Sequence, residues 1–334
     1  MFMTCIIIMH SGIPFQSLNF LTGAYIFVDF FFVLQGYFLY KKYLYSIDDI
    51  RNPLEQSYQF IRSKFILFFS CTLCSILLLI ASNIITQEYA GNVRNSIFEV
   101  GIKLVGELTF TTNALPAFVY LNGTLWFLSA YIFAGGIMVY LIVRFGEKII
   151  FICPIVFVLI NNYIIANFGS FGFADERIAG MIPVGYLRAI SGIMLGLTCG
   201  YVKKKLESSK ISKDSFRIKR IVWIIINFGL IVFCIFRAIY YGHTTADAIM
   251  ILLFAIMIVT ADLYGITRQN RIIYWIEKII MPMYIFQYVC ITFVCKFYQP
   301  SFHTTFKIII MDVLISVTWL IICERRKTLL HKVK

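Results

Sequence analysis

Ten stretches of this chain can be set against the roughly 30 Å hydrocarbon core of a bilayer, which a helix of about 20 apolar residues crosses. They run over residues 1–15, 22–40, 63–85, 123–143, 149–167, 178–201, 220–240, 246–265, 274–295 and 305–323. With 60% of 334 residues hydrophobic and only 14% charged, no single water-soluble core hides that surface, since soluble domains carry roughly 25% charge. A soluble enzyme, a disordered chain and a disulfide scaffold are all excluded. The expected fold is an all-α polytopic membrane bundle of about ten helices, with residues 1–334 as one domain. An eleventh stretch, 97–119, carries Glu99, Lys103, Glu107 and Pro116. It reads as an amphipathic or re-entrant element on the outer face.

The net charge of +13 would suggest nucleic acid in a soluble protein. Here most basic residues collect in alternate connections: Lys41, Lys42, Arg51, Arg62 and Lys64 after the second segment, and the run from Lys203 to Arg220 after the sixth. The tail adds Arg325, Arg326, Lys327, Lys332 and Lys334. Such asymmetry marks cytoplasmic loops. It predicts a multi-pass plasma-membrane protein with both termini cytoplasmic and no nucleic-acid partner. The first segment has only about 13 residues before Pro14 and no basic flank, so it is shorter than a full span at 1.5 Å per residue. It has neither the charged start nor the small-residue cleavage site of a signal peptide. The expectation is a first helix lacking its opening turns, through a start assigned to an internal Met or a truncated gene.

Ionisable side chains inside apolar segments are functional candidates by default. His10 ends the first segment and Asp29 lies in AYIFVDFFFVLQGYFLY, with a short hairpin between them. An imidazole beside a carboxylate is the usual base-plus-orienter pair; the plainer alternative is an interfacial histidine and a snorkelling aspartate. Arg188 and Arg237 offer a guanidinium to a phosphate, carboxylate or oxyanion, or equally an ion pair to Asp247, Asp262 or Asp312. Arg62 and Lys64 open the third segment, suited to phosphates or simply to the basic-loop rule. Gly192 and Gly196 have close-packing spacing. Cys71 and Cys74 have redox-motif spacing but sit mid-helix in FFSCTLCSILLLI, where thiols act as small hydrophobes. Asn122-Gly-Thr is a chance glycosylation match, and His243, His303 and His331 lie in loops or the tail. No zinc, P-loop, HExxH or GxSxG spacing occurs, and no metal site is expected.

Taken in order, MHSGIP, GAYIFVDFFFVLQGYFL, NGTLWFLSAYIFAGGIMVYL, GYLRAISGIMLGLTCGYV and IIMPMYIFQYV resemble the membrane-bound acyltransferase 3 family across nearly the whole chain. The resemblance implies about ten transmembrane helices and transfer of acetyl or other short acyl groups, mostly from acyl-CoA, onto hydroxyls of surface or secreted carbohydrates. It implies that His10 is the catalytic base and Asp29 its acidic partner. It further implies that Arg62, Lys64, Trp126, Arg188 and Glu324 serve donor or substrate binding. An arginine that the family places eleven positions before the histidine would fall ahead of Met1. Gln35 stands where a serine is usual, and Gln287 where a histidine is often found.

The function expected is therefore a membrane O-acyltransferase with acyl-CoA as donor, a carbohydrate acceptor, no bound cofactor and a lipid-bilayer setting. Covalent and direct transfer both fit the residues. A transporter of a glycan or lipid intermediate is the alternative, as is a non-catalytic member of the same family. Transporters often carry inverted repeats and broken helices, and neither is visible here.

Overall fold

A computed structural model describes residues 1–11, 21–45, 52–85, 93–112, 121–208, 216–242, 244–262, 271–299 and 301–332. Pro14, Arg51, Pro116, Lys210, Lys213, His243 and Arg268 lie outside the described residues, as do the side chains of Glu99, Asp262 and His331. The helices in chain order are α1 (Phe2–His10), α2 (Phe27–Tyr43), α3 (Pro53–Ile85) and α4 (Val93–Leu108). There follow α5 (Trp126–Phe145), α6 (Cys153–Phe168), a hairpin of β1 (Arg177–Ile178) and β2 (Ile182–Pro183), and α7 (Val184–Ser208). The chain continues through α8 (Phe216–Tyr240), α9 (Asp247–Asp262), α10 (Arg271–Phe297) and α11 (Phe302–Lys332).

Among the described residues, six spans are long and apolar enough to cross a membrane: Thr22–Tyr43, Pro53–Asn83, Trp126–Phe151, Val222–Tyr240, Glu277–Phe297 and Phe302–Arg325. The apolar helices Cys153–Phe168 and Asp247–Thr260 are shorter. Outward-facing residues on these helices are large and apolar, among them Ile225, Phe228 and Phe233 on α8 and Phe306 and Leu314 on α11. A surface of that kind suits lipid rather than water. The protein is an all-α membrane protein.

Several boundaries differ from those expected, two of them for a clear local reason. Helix α3 begins ten residues early because Asn52 caps it: its Oδ1 accepts from the backbone N–H of Leu54 at 3.0 Å. Pro53 then fills the first helical position, where a missing N–H is harmless. Arg62 and Lys64 consequently lie within a helix rather than at its start. Residues 178–183 form an antiparallel turn, with Ile178 opposite Ile182, instead of opening the sixth span. Ala179 and Gly180 take φ of 51° and 71°, a left-handed pair that forces reversal, and α7 starts just after Pro183.

The chain divides into two compact units. Unit 1 comprises Met1–Leu18, Phe65–Trp126 and Gln269–Lys334. Within it α10 packs along α11, with the Phe286 and Trp319 ring centroids 6.0 Å apart, and α1 packs on α10. Pro282 lies inside α10.

Unit 2 comprises Asn19–Lys64 and Phe127–Arg268. Its core is the pairing of α2 with α7. Helix association in lipid relies on close van der Waals approach rather than on the hydrophobic effect, and glycines supply it here. A Cβ on Gly36 would strike the carbonyl of Ile193, and one on Gly196 the carbonyl of Val33. Gly192 faces Phe32 in the same row. Gln35 is buried, and its Nε2 donates to the Tyr131 carbonyl at 3.0 Å, tying α2 to α5.

Candidate functional site

The N-terminal turns of α2, α7 and α9 and the last turn of α8 bring four charged side chains of unit 2 into its interior. Arg188 embraces Asp29: its Nε donates to Oδ1 at 3.2 Å and its Nη2 to Oδ2 at 2.6 Å. Both side chains are 1% exposed. Arg188 Nη2 also reaches the Tyr25 carbonyl at 3.3 Å. The Tyr25 hydroxyl donates to Asp247 Oδ2 at 2.5 Å, and Arg237 donates to Asp247 Oδ1 at 2.5 Å and to the Thr244 hydroxyl. The backbone N–H of Phe171 completes the Asp247 carboxylate at 3.0 Å.

Two negative and two positive charges cancel, which is how charge persists at membrane depth. Desolvation of such pairs is costly, so each partner depends on the other. Arg237 retains one donor, Nη1, that is buried without an acceptor among the described residues; a Cβ on Gly23 would lie 3.2 Å from it. Of the pairings foreseen from sequence, Arg237 with Asp247 forms. Arg188 takes Asp29, which was not foreseen.

In unit 1, His10 ends α1 with its ring beside the Gln287 side chain. Its Nδ1 is buried without a hydrogen-bond partner among the described residues, and so is Gln287 Oε1. The Gln287 amide nitrogen is directed to the Tyr284 carbonyl at 3.1 Å. His10 belongs to unit 1 and Asp29 to unit 2, and each has a neighbour within its own unit. Of the other expected residues, Arg62 is exposed and Lys64 half-buried on α3. The Lys64 ammonium lies 5.8 Å from the Phe60 ring centroid and 5.5 Å from that of Tyr131. Trp126 opens α5 and is buried. Glu324 accepts from Lys278 Nζ at 2.6 Å.

Sequence reasoning passed over a second buried network in unit 1. Asn122 Nδ2 donates to the Ser75 hydroxyl at 3.1 Å and the Ile285 carbonyl at 3.0 Å. Its Oδ1 accepts from the Thr124 N–H and hydroxyl at 3.1 and 2.7 Å, an Asx turn that starts α5. Its own N–H donates to Glu107 Oε1 at 2.6 Å. An amide so enclosed is no glycosylation acceptor. The signal in the sequence was Glu107, a charged residue one position before the end of α4.

Burial raises the Glu107 carboxyl from 4.5 to about 7, against the lowering effect of the Asn122 and Leu121 backbone N–H groups. The folded protein therefore holds this proton more tightly than the unfolded chain, and stability falls as pH rises between 4.5 and about 7. Above that range the loss is complete and constant. Glu107→Gln keeps an acceptor for Asn122 and carries no charge. Detergent-solubilised melting curves should show a flatter pH dependence for the variant and a higher midpoint above the window. An unchanged slope would place the titration elsewhere.

Comparison of the chain with family models, with curated proteins and with solved structures returned no match.

Proposed function

We propose that this chain is a membrane O-acyltransferase that moves an acetyl or other short acyl group from acyl-CoA to a hydroxyl of a surface or secreted glycan. In this reading it resides in the plasma membrane with ten spans and both termini in the cytoplasm, as the basic loops suggest. Support comes from the order of sequence blocks that resemble those of the membrane-bound acyltransferase 3 family. The observation that carries the reading is His10, a base at the end of a buried helix whose Nδ1 has no partner of its own among the described residues.

The acyl donor's phosphates lie by Arg62 and Lys64. His10 accepts the proton of the sugar hydroxyl as its oxygen attacks the thioester carbonyl. The carbon–sulfur bond then breaks, and the proton passes to the departing thiolate to give free CoA. Trp126 and Glu324 contribute to holding the two substrates.

The test is transfer of label from radioactive acetyl-CoA to membrane-associated glycan in vesicles carrying the purified chain. Label should appear on glycan, as an ester released by mild base, only when donor and protein are both present. Label that stays with CoA across a panel of bacterial surface glycans would end the acyltransferase reading.

A carrier of a glycan or lipid intermediate is the second reading, and one observation favours it. Asp312 is fully buried in the spanning helix α11, and neither carboxylate oxygen has a hydrogen-bond partner among the described residues. Intramembrane carboxylates of this kind often line transport paths. The same vesicles discriminate, because a carrier moves a labelled lipid-linked sugar across them without acylating it.

A further inference from the structure

The final turns of α2 and α7 leave between them a cleft of about 320 Å³ in unit 2, at the low end of the range for small-ligand sites. Tyr37, Tyr40 and Lys41 form one wall and Gly200, Lys203 and Lys204 the other. Each set follows helical spacing, so each is one face of its helix. Gly200 lets the Tyr40 ring pack directly against α7, since a Cβ there would overlap the ring.

Positive charge converges in this cleft in a way that loop topology does not require. Lys203 is 4% exposed, an unusual burial for an ammonium group. Its Nζ donates to the Tyr37 hydroxyl at 2.9 Å and lies 3.4 Å from Glu207, a half-exposed carboxylate in the same wall. Lys203 and Lys41 both approach one ring, with their ammonium groups 5.6 and 4.9 Å from the Tyr37 centroid. Lys204, paired with Glu147 at 2.7 Å, adds a third. Three ammonium groups against the carboxylates of Glu207 and Glu147 leave the cleft with one net positive charge, and the tyrosine hydroxyls add neutral donors. Lysine binds phosphate as a point charge, and several converging donors match a group with several acceptor oxygens.

We propose that the cleft between α2 and α7 binds a phosphate-bearing anion, either a soluble phosphate ester or the headgroup of an anionic phospholipid. The site is separate from Arg62 and Lys64 and does not depend on the acyltransferase reading. Lys203 and Lys41, both beside the Tyr37 ring, supply the charge that holds the phosphate, and Tyr40 lines the same cleft.

The test uses the full chain in nanodiscs. In the first arm the lipid is phosphatidylcholine alone and inorganic pyrophosphate is titrated by calorimetry. In the second, the discs contain phosphatidylglycerol and native mass spectrometry counts lipids retained on the protein. Lys41→Gln and Lys203→Gln should weaken whichever probe binds by about tenfold or more, the effect of losing one charge-assisted contact, and higher salt should weaken it further. Pyrophosphate binding alone assigns a soluble ester, and retained phosphatidylglycerol alone assigns a lipid headgroup. Because Lys203 is buried, melting curves accompany its variant. If Lys203→Gln fails to fold, the exposed Lys41→Gln decides. Binding of neither probe by the native chain overturns the proposal, as does equal binding by native protein and Lys41→Gln.

Discussion

Replacing Arg188 by methionine should remove most folded protein from the membrane. Asp29, 1% exposed and bonded through both oxygens to the guanidinium, would be left charged in the interior. The nearby Asp247 carboxylate repels it, and Arg237 alone would then face two carboxylates. Breaking a buried pair from one side typically costs about 3–5 kcal/mol. Removing both partners is different: Asp29→Leu combined with Arg188→Met leaves no orphan charge, so the double variant should recover much of the loss. The comparison is a denaturation series in mixed micelles on the native chain, both single variants and the double. If the double variant is as damaged as the sum of the singles, Asp29 and Arg188 do not act as a pair. A stable but inactive double variant would instead assign the pair a part in acyl transfer.

His10→Ala is expected to lower glycan acylation by about 10²–10⁴, the usual worth of a positioned base, with little change in melting. The ring is half-buried at the end of α1 and makes no hydrogen bond through Nδ1 within the described residues, so its removal disturbs little structure. A purely structural histidine would behave oppositely, losing stability and activity together. The pH profile separates the two further. A base must be neutral to accept a proton, so native transfer should rise with pH through the histidine's titration, while residual transfer by the variant should not. Acylation by His10→Ala at the native rate would remove the histidine from the mechanism.

Helix content and the apolar spans follow from hydropathy because a bilayer tolerates little else. Helix starts were less legible. Hydropathy alone ignores Asn52 and Pro53, whose capping chemistry extends α3 by ten residues, and it runs through Ala179 and Gly180, whose backbone turns the chain back. Asp29 and Arg188 were each visible as ionisable residues in apolar surroundings. Their partnership was not, because 159 positions separate them and nothing local encodes which face of α7 meets α2. Arg237 and Asp247 were easier, being ten positions apart across one turn. Lys203 counted only as one more basic loop residue, since burial at a helix end depends on the neighbouring helix. Gly192 and Gly196 did announce close packing, and the facing glycine on α2 explains why.

The partnership of Asp29 with Arg188 also bears on how the chain is made. Ribosomes add about 5–20 residues per second, so the 159 positions between the two represent roughly 8–30 s of synthesis. During that interval α2 carries an unanswered carboxylate in its first turn, where the cost of insertion is below the roughly 2.5–3.5 kcal/mol that an aspartate carries at helix centre on translocon scales. The strongly apolar remainder of α2 can outweigh that charge, or the helix waits beside the insertion machinery until α7 emerges. Either way, biogenesis of unit 2 is a waiting problem whose release is the arrival of one arginine.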